Sequence, residues 1–134
     1  MNTDKNNAGA CEVLDARVLT SIGGNTGLAS PLVERLVTLF RQEAIKLVHG
    51  IENALATEDQ EALLRQSHTL KSSSASIGGF ALSQVARDIE HCARQSELAE
   101  AGALTGDLRT EFARLLVALD ALESQLASVS TDQH

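Results

Sequence analysis

Apolar residues recur along this chain at steps of three and four, the period of an α-helix, and no alternating pattern of the kind a half-buried strand shows breaks the series. Val13, Leu14, Val18 and Leu19 give a short first helix a small apolar side, which ends in a glycine-bearing loop over 22–27. A long helix follows, opened by Ser30 as N-cap with Pro31 in the first helical position, where the missing amide of proline costs nothing, and running to about Ala56. Its main stripe is Val33, Val37, Phe40, Ala44, Leu47, Ile51 and Ala54. Leu32, Leu36 and Leu39 widen that stripe in the first half only, and the short first helix is the expected cover for them.

A third helix is expected from Thr57 to the glycine pair Gly78 and Gly79. Thr57 followed three residues later by Gln60 can close a capping box, and the glycines supply the stop. Its buried face is Leu63, Ser67, Leu70, Ser74 and Ile77. Leu82, Val85, Ile89 and Cys92 predict a fourth helix, a looser segment spans 96–106, and Leu108, Phe112, Leu115, Leu119, Leu122 and Leu126 predict a fifth. The spacing of the fifth also suits a coiled coil between chains, but the short connections favour a bundle within one chain, so a monomer is expected. The fold class is all-α: an antiparallel four-helix bundle with a short N-terminal helix packed over one end.

With 134 residues the chain has room for one core. Residues 1–10, polar and without period, are expected as a mobile tail, 11–127 as the helical bundle, and 128–134 as a frayed tail. A formal net charge of −7 argues against sequence-independent nucleic-acid binding, which needs basic surface. No apolar run approaches the roughly 20 residues of a membrane span and the opening is no signal peptide, so a cytoplasmic location and no membrane contact are expected. Two cysteines, Cys11 and Cys92, make neither a disulfide framework nor a CxxC site.

Candidate chemistry concentrates on the third helix. His68 falls roughly 140° from the centre of the buried stripe, grouped with Glu61, Leu64, Ser72 and Ala75, and so faces water. Arg65 and Lys71 stand one turn to either side and can reach the imidazole edge or a group bonded to it. A solvated imidazole is a good nucleophile that titrates near neutral pH, so this setting suits acceptance of a phosphoryl group, whose charge Lys71 and Arg65 would offset. Leu64, Ser72 and Ala75 share the face of the histidine and form the candidate docking surface for a partner. The loop at 22–27 has no Walker lysine–serine pair, so no nucleotide site is expected. Glu90, His91 and Cys92 are consecutive and point about 100° apart on a helix, and the four histidines offer no HxxxH or ExxH pair, so no metal site is expected.

His68-Thr69-Leu70-Lys71, the small residues behind it, Gly78 ten residues on, Leu82 and the pair Ile89-Glu90 together resemble the signature of histidine-containing phosphotransfer (HPt) domains. Leu14-Asp15, Gly23-Gly24 and the segment around Leu36, Leu39 and Phe40 fit the same pattern. The resemblance covers roughly 14–95, with the last helix fitting only by pattern. One departure is Ser72, where the family usually has glycine directly after the lysine. The resemblance implies a bacterial-type phosphorelay carrier of two-component signalling: His68 takes a phosphoryl group from an aspartyl phosphate on a response-regulator receiver domain and passes it to another receiver. It further implies a hybrid sensor histidine kinase upstream, no kinase activity or cofactor of its own, and Mg²⁺ supplied by the partner receiver domain. The alternative is an interaction-only bundle that docks such domains without phosphotransfer.

Overall fold

A computed structural model describes residues 11–132 of the chain, and the tail expected at 1–10 lies outside the described residues. The elements in order are α1 (Ala16–Gly23), a 3-10 segment (Gly24–Ala29), α2 (Pro31–Ala56), α3 (Gln60–Ser76), α4 (Phe80–Arg94), the short α5 (Leu98–Ala103) and α6 (Thr105–Asp132). Helices α2, α3, α4 and α6 form the four-helix bundle and α1 packs beside the start of α2. The last helix continues to Asp132, past the point at Ser128 where a frayed tail was expected. A six-residue helix with Ala101 fully buried occupies part of the segment expected to be loose. No helix among the described residues is long and apolar enough to cross a membrane.

All seven residues of the main stripe of α2 are buried, and Ser30 caps the helix by accepting from the Leu32 amide. The widening residues are another matter. Leu32 and Leu39 remain 51% and 53% exposed, so α1 does not cover them. It seats Leu19, its one buried side chain, in the groove that Val33, Val37 and Leu119 line. An eight-residue helix has only one narrow apolar side and cannot flank both edges of α2. Val13 and Leu14 precede α1 in an extended strap, because the Asp15 carboxylate caps the helix at the Arg17 amide.

That strap closes the far end of the α3–α4 hairpin. Asp15 N–H donates to Gly78 O at 2.9 Å, and Ala81 N–H donates to Glu12 O at 2.8 Å, satisfying one of the free amides at the start of α4, which has no side-chain cap. Gly78 has φ 90°, and a Cβ there would come 2.5 Å from Asp15 O, so only glycine fits.

The start of α3 differs from expectation. Thr57 ends α2: its hydroxyl donates back to Asn53 O at 2.9 Å and is not available as a cap for the next helix. Glu58 turns the chain in the left-handed region at φ 53°, and Asp59 caps α3 by accepting from Ala62 N–H at 3.0 Å. An aspartate two residues later does the work assigned to the threonine, because the chain reversal consumes Thr57 first.

The expected buried face of α3 is observed in full. Leu63 and Leu70 are completely buried, each contributing about 1.5–3 kcal/mol, and the buried Ser67 satisfies its hydroxyl on Leu63 O at 2.7 Å. α3 packs against α2 on one flank and most extensively against α4 on the other, leaving one strip for water. On α4 the buried set is Ala81, Leu82, Ala86, Ile89, Glu90 and Ala93, whereas Val85 and Cys92 are half-buried. The helix is thus rotated by about one position from the expected stripe. That rotation carries Glu90 inward.

Candidate functional site

His68 lies on the open strip of α3 with its side chain 59% exposed, as its place on the helical wheel requires. Its immediate neighbours in sequence explain why it is held there: Ser67 and Leu70 are buried, and a helix that buries them must turn position 68 outward.

Across the seam, Glu90 of α4 presents a carboxylate whose side chain is only 5% exposed. Its Oε1 accepts from Lys71 Nζ at 2.8 Å, and its Oε2 lies 2.8 Å from His68 Nδ1 and accepts from Arg94 Nη2 at 2.6 Å. Burial pushes the Glu90 carboxyl up, but the hydrogen bonds from Lys71, Arg94 and His68 override it and hold the group down at about 2. A group ionised near neutral pH can only accept hydrogen bonds. The proton on His68 must therefore sit on Nδ1, and when the ring is neutral the lone pair on Nε2 is left facing solvent. An imidazole with a fixed tautomer, an exposed nucleophilic nitrogen and a buried anion behind it is built to take an electrophile on Nε2.

Each residue singled out in the sequence now has a place. Lys71 is beside His68, but its amine is bonded to Glu90. Arg65 is exposed and lines a shallow cleft next to His68, together with Glu61, Leu64 and Arg94, without being among the groups that hold Glu90. The second cation on the carboxylate is Arg94, from a different helix. Leu64 corrects the expected docking face: it is half-buried and packs on the core cluster, because the neighbouring α4 covers part of that side of α3. Ser72 is exposed and Ala75 is half-buried.

Arg94 was not among the residues expected at the site, and Glu90 entered only with the resemblance and in the run Glu90-His91-Cys92; the structure brings both to His68. The signal was an i,i+4 acid–base pair at the end of an apolar stripe, which on its own reads as an ordinary surface pair. As for the run Glu90, His91 and Cys92, the first is buried, the second exposed and the third half-buried, and among the described residues no group of three His, Cys, Asp or Glu side chains is arranged to hold a metal. Partial burial pushes the Cys92 thiol up, with Glu97, Glu100 and Asp88 adding to the effect, so it stays protonated.

Comparison with known proteins bears on this geometry. A family model described as Hpt domain matches residues 35–128, well over half of the chain. Among solved structures, the crystal structure of histidine-containing phosphotransfer protein B (HptB) from Pseudomonas aeruginosa PAO1 is similar, with a TM-score of 0.77 and 25% sequence identity over 87% of this chain and 98% of that one. A search of curated proteins finds no match.

Proposed function

From the premise that the chain belongs to the Hpt domain family and is a phosphorelay carrier of two-component signalling, we propose that His68 is its phosphoacceptor and Nε2 the atom that receives the phosphoryl group. The observation that carries this is the 2.8 Å approach of His68 Nδ1 to the buried Glu90 carboxylate, which in the neutral ring leaves the lone pair on Nε2, on a side chain that is 59% exposed. In the step, the Nε2 lone pair attacks phosphorus of an aspartyl phosphate on a receiver domain, the P–O bond to the aspartate breaks, and the aspartyl carboxylate leaves. Because Nδ1 keeps its proton, the phosphorylated ring carries a formal positive charge. Glu90 lies against that charge and stabilises it. Transfer onward reverses the electron flow: a receiver aspartate attacks phosphorus, the P–N bond breaks, and its electron pair returns to Nε2.

Lys71 acts mainly by holding Glu90 and contributes positive potential near the phosphoryl group. Arg65, on the cleft beside His68, is a further candidate for offsetting phosphate charge. Mg²⁺ and the acidic pocket that binds it belong to the receiver. The partners are response-regulator receiver domains and a hybrid sensor histidine kinase, and the protein works as a monomer in the cytoplasm without nucleotide chemistry of its own. A receiver would rest on Ser72, Ala75 and the exposed edge of Leu64. The apolar surface extends to Leu36 and Leu39 of α2, which share a groove with Ser73 and Ser76.

The test is phosphotransfer from a purified, phosphorylated receiver domain to the wild-type chain and to His68→Gln. Acid-labile, base-stable label on the wild type and none on the variant is expected, with both retaining the same helical circular dichroism. Label that persists on His68→Gln would place the acceptor elsewhere.

A further inference from the structure

A carboxylate behind a nucleophilic imidazole acts in two opposed ways. It fixes the tautomer, but it also favours the imidazolium, which has no lone pair on Nε2 and cannot attack. The more negative the surroundings of the ring, the more the imidazolium is favoured over the nucleophilic form. The structure places two full positive charges on this single carboxylate. Lys71 takes Oε1, whereas Arg94 takes Oε2, the same oxygen that faces His68 Nδ1. With a neutral ring, Glu90, Lys71 and Arg94 sum to one net positive charge, and protonating the ring adds another. Without Arg94 the sum is zero, and the proton enters at a lower electrostatic cost.

We infer that Arg94 is a positioning residue for phosphoryl acceptance: by sharing Glu90 Oε2 with the imidazole, it sets the pH range over which His68 is a nucleophile. This rests on His68 being the phosphoacceptor. Arg94 touches neither the phosphoryl group nor the reacting nitrogen in this account, and acts only through the carboxylate. The other charged groups around the ring do not replace it. On α3, Glu61 and Arg65 line the cleft with opposite signs, and Lys71 is committed to Oε1. On α4, Arg87, Asp88 and His91 are exposed to solvent, where water screens them. On α2, the flank away from Glu90, Lys46 lies along the groove with Ser73 and Ser76. Arg94 itself keeps its side chain 55% exposed.

The experiment uses the full chain and a small donor, phosphoramidate, so that receiver docking plays no part. The rate of labelling is measured against pH for the wild type and for Arg94→Lys, Arg94→Met and Arg94→Glu, with His68→Gln as the control and the imidazole titration followed by NMR. The pH dependence of the donor is common to all variants and cancels in the comparison. The midpoint of the rise with pH is expected to move upward in the order Lys, Met, Glu. Arg94→Lys stays near the wild type and Arg94→Met shifts by about half to one pH unit. Below the midpoint, labelling of Arg94→Met would then be about three- to tenfold slower, with the high-pH plateau unchanged. An unmoved midpoint across the series, or a loss of rate that is equal at every pH, would overturn the assignment of Arg94 while leaving His68 as acceptor. Label retained by His68→Gln would overturn the acceptor assignment itself.

Discussion

Two charged clusters tie helices together in this bundle, and they are near inversions of one another. At the α3–α4 seam one carboxylate, Glu90, gathers Lys71, Arg94 and His68. Between α2 and α6 one guanidinium, Arg41, gathers two carboxylates, Asp120 at 2.9 Å and Glu123 at 3.0 Å. The distances are alike, but the surroundings are not. Glu90 has a 5% exposed side chain, whereas Asp120 and Glu123 are 67% and 50% exposed and Arg41 is 28% exposed. Water already solvates the second cluster, so its bonds replace bonds to water at little net gain. At Glu90 little of the side chain reaches water, the hydrogen bonds supply most of the solvation of the carboxylate, and the group is held at about 2. Burial of the hub sets this cluster apart: its carboxylate is solvated by side chains, one of which is the His68 ring.

Breaking the buried hub should show the largest effect. Glu90→Gln removes the anion behind the ring and frees the tautomer. Receiver-to-His68 transfer is expected to fall about ten- to a hundredfold, the kinetic equivalent of one charged hydrogen bond, in a stopped time course with purified receiver. The corresponding change at the exposed hub, Arg41→Met, should leave that rate within twofold.

Acid should distinguish the clusters next. The folded pKa of Glu90 lies below its ordinary value of 4.5, so its stabilising contribution is complete above about 4.5 and is lost as pH falls through about 2. Denaturant titrations between pH 5 and 2 should show the wild type losing up to roughly 3 kcal/mol from this group. Glu90→Gln should lack that component of the decline. A parallel pH dependence in the two proteins would mean that the carboxylate is not held as the geometry indicates.

The smallest effect belongs to the exposed cluster. Arg41→Met is expected to cost about 0–1 kcal/mol at low salt and less at 1 M salt, read from urea midpoints. A cost above about 2 kcal/mol would remove the contrast between the clusters, because Arg41 would then be acting as a buried hub as well.

Much of the molecule was legible along the chain. The period of Leu63, Ser67, Leu70, Ser74 and Ile77 predicts the buried face of α3, and with it the exposure of His68, because 100° per residue is a local property of any helix. Ser30 with Pro31 and the stop at Gly78 are legible for the same reason: caps and turns are decided by residues within a few positions of one another. Thr57 shows the limit of that locality, since the hydroxyl was needed by the end of α2 before it could begin α3.

The contact between His68 and Glu90 is another matter. Glu90 lies 22 positions away from the histidine, and whether the carboxylate reaches Nδ1 depends on α4 turning by about one residue from its expected stripe so that Ala86, Ile89 and Ala93 pack inward. The same rotation leaves Cys92 half-buried and sets Arg94 one turn beyond Glu90, at the edge of the cleft. Nothing local selects that rotation over its neighbours, because Val85 and Cys92 are as apolar as the alanines that displaced them. Close packing of α4 against the small residues of α3 decides it, and close packing exists only once both helices are in place. The sequence therefore determines that a histidine faces water. The folded bundle decides which of its nitrogens is free.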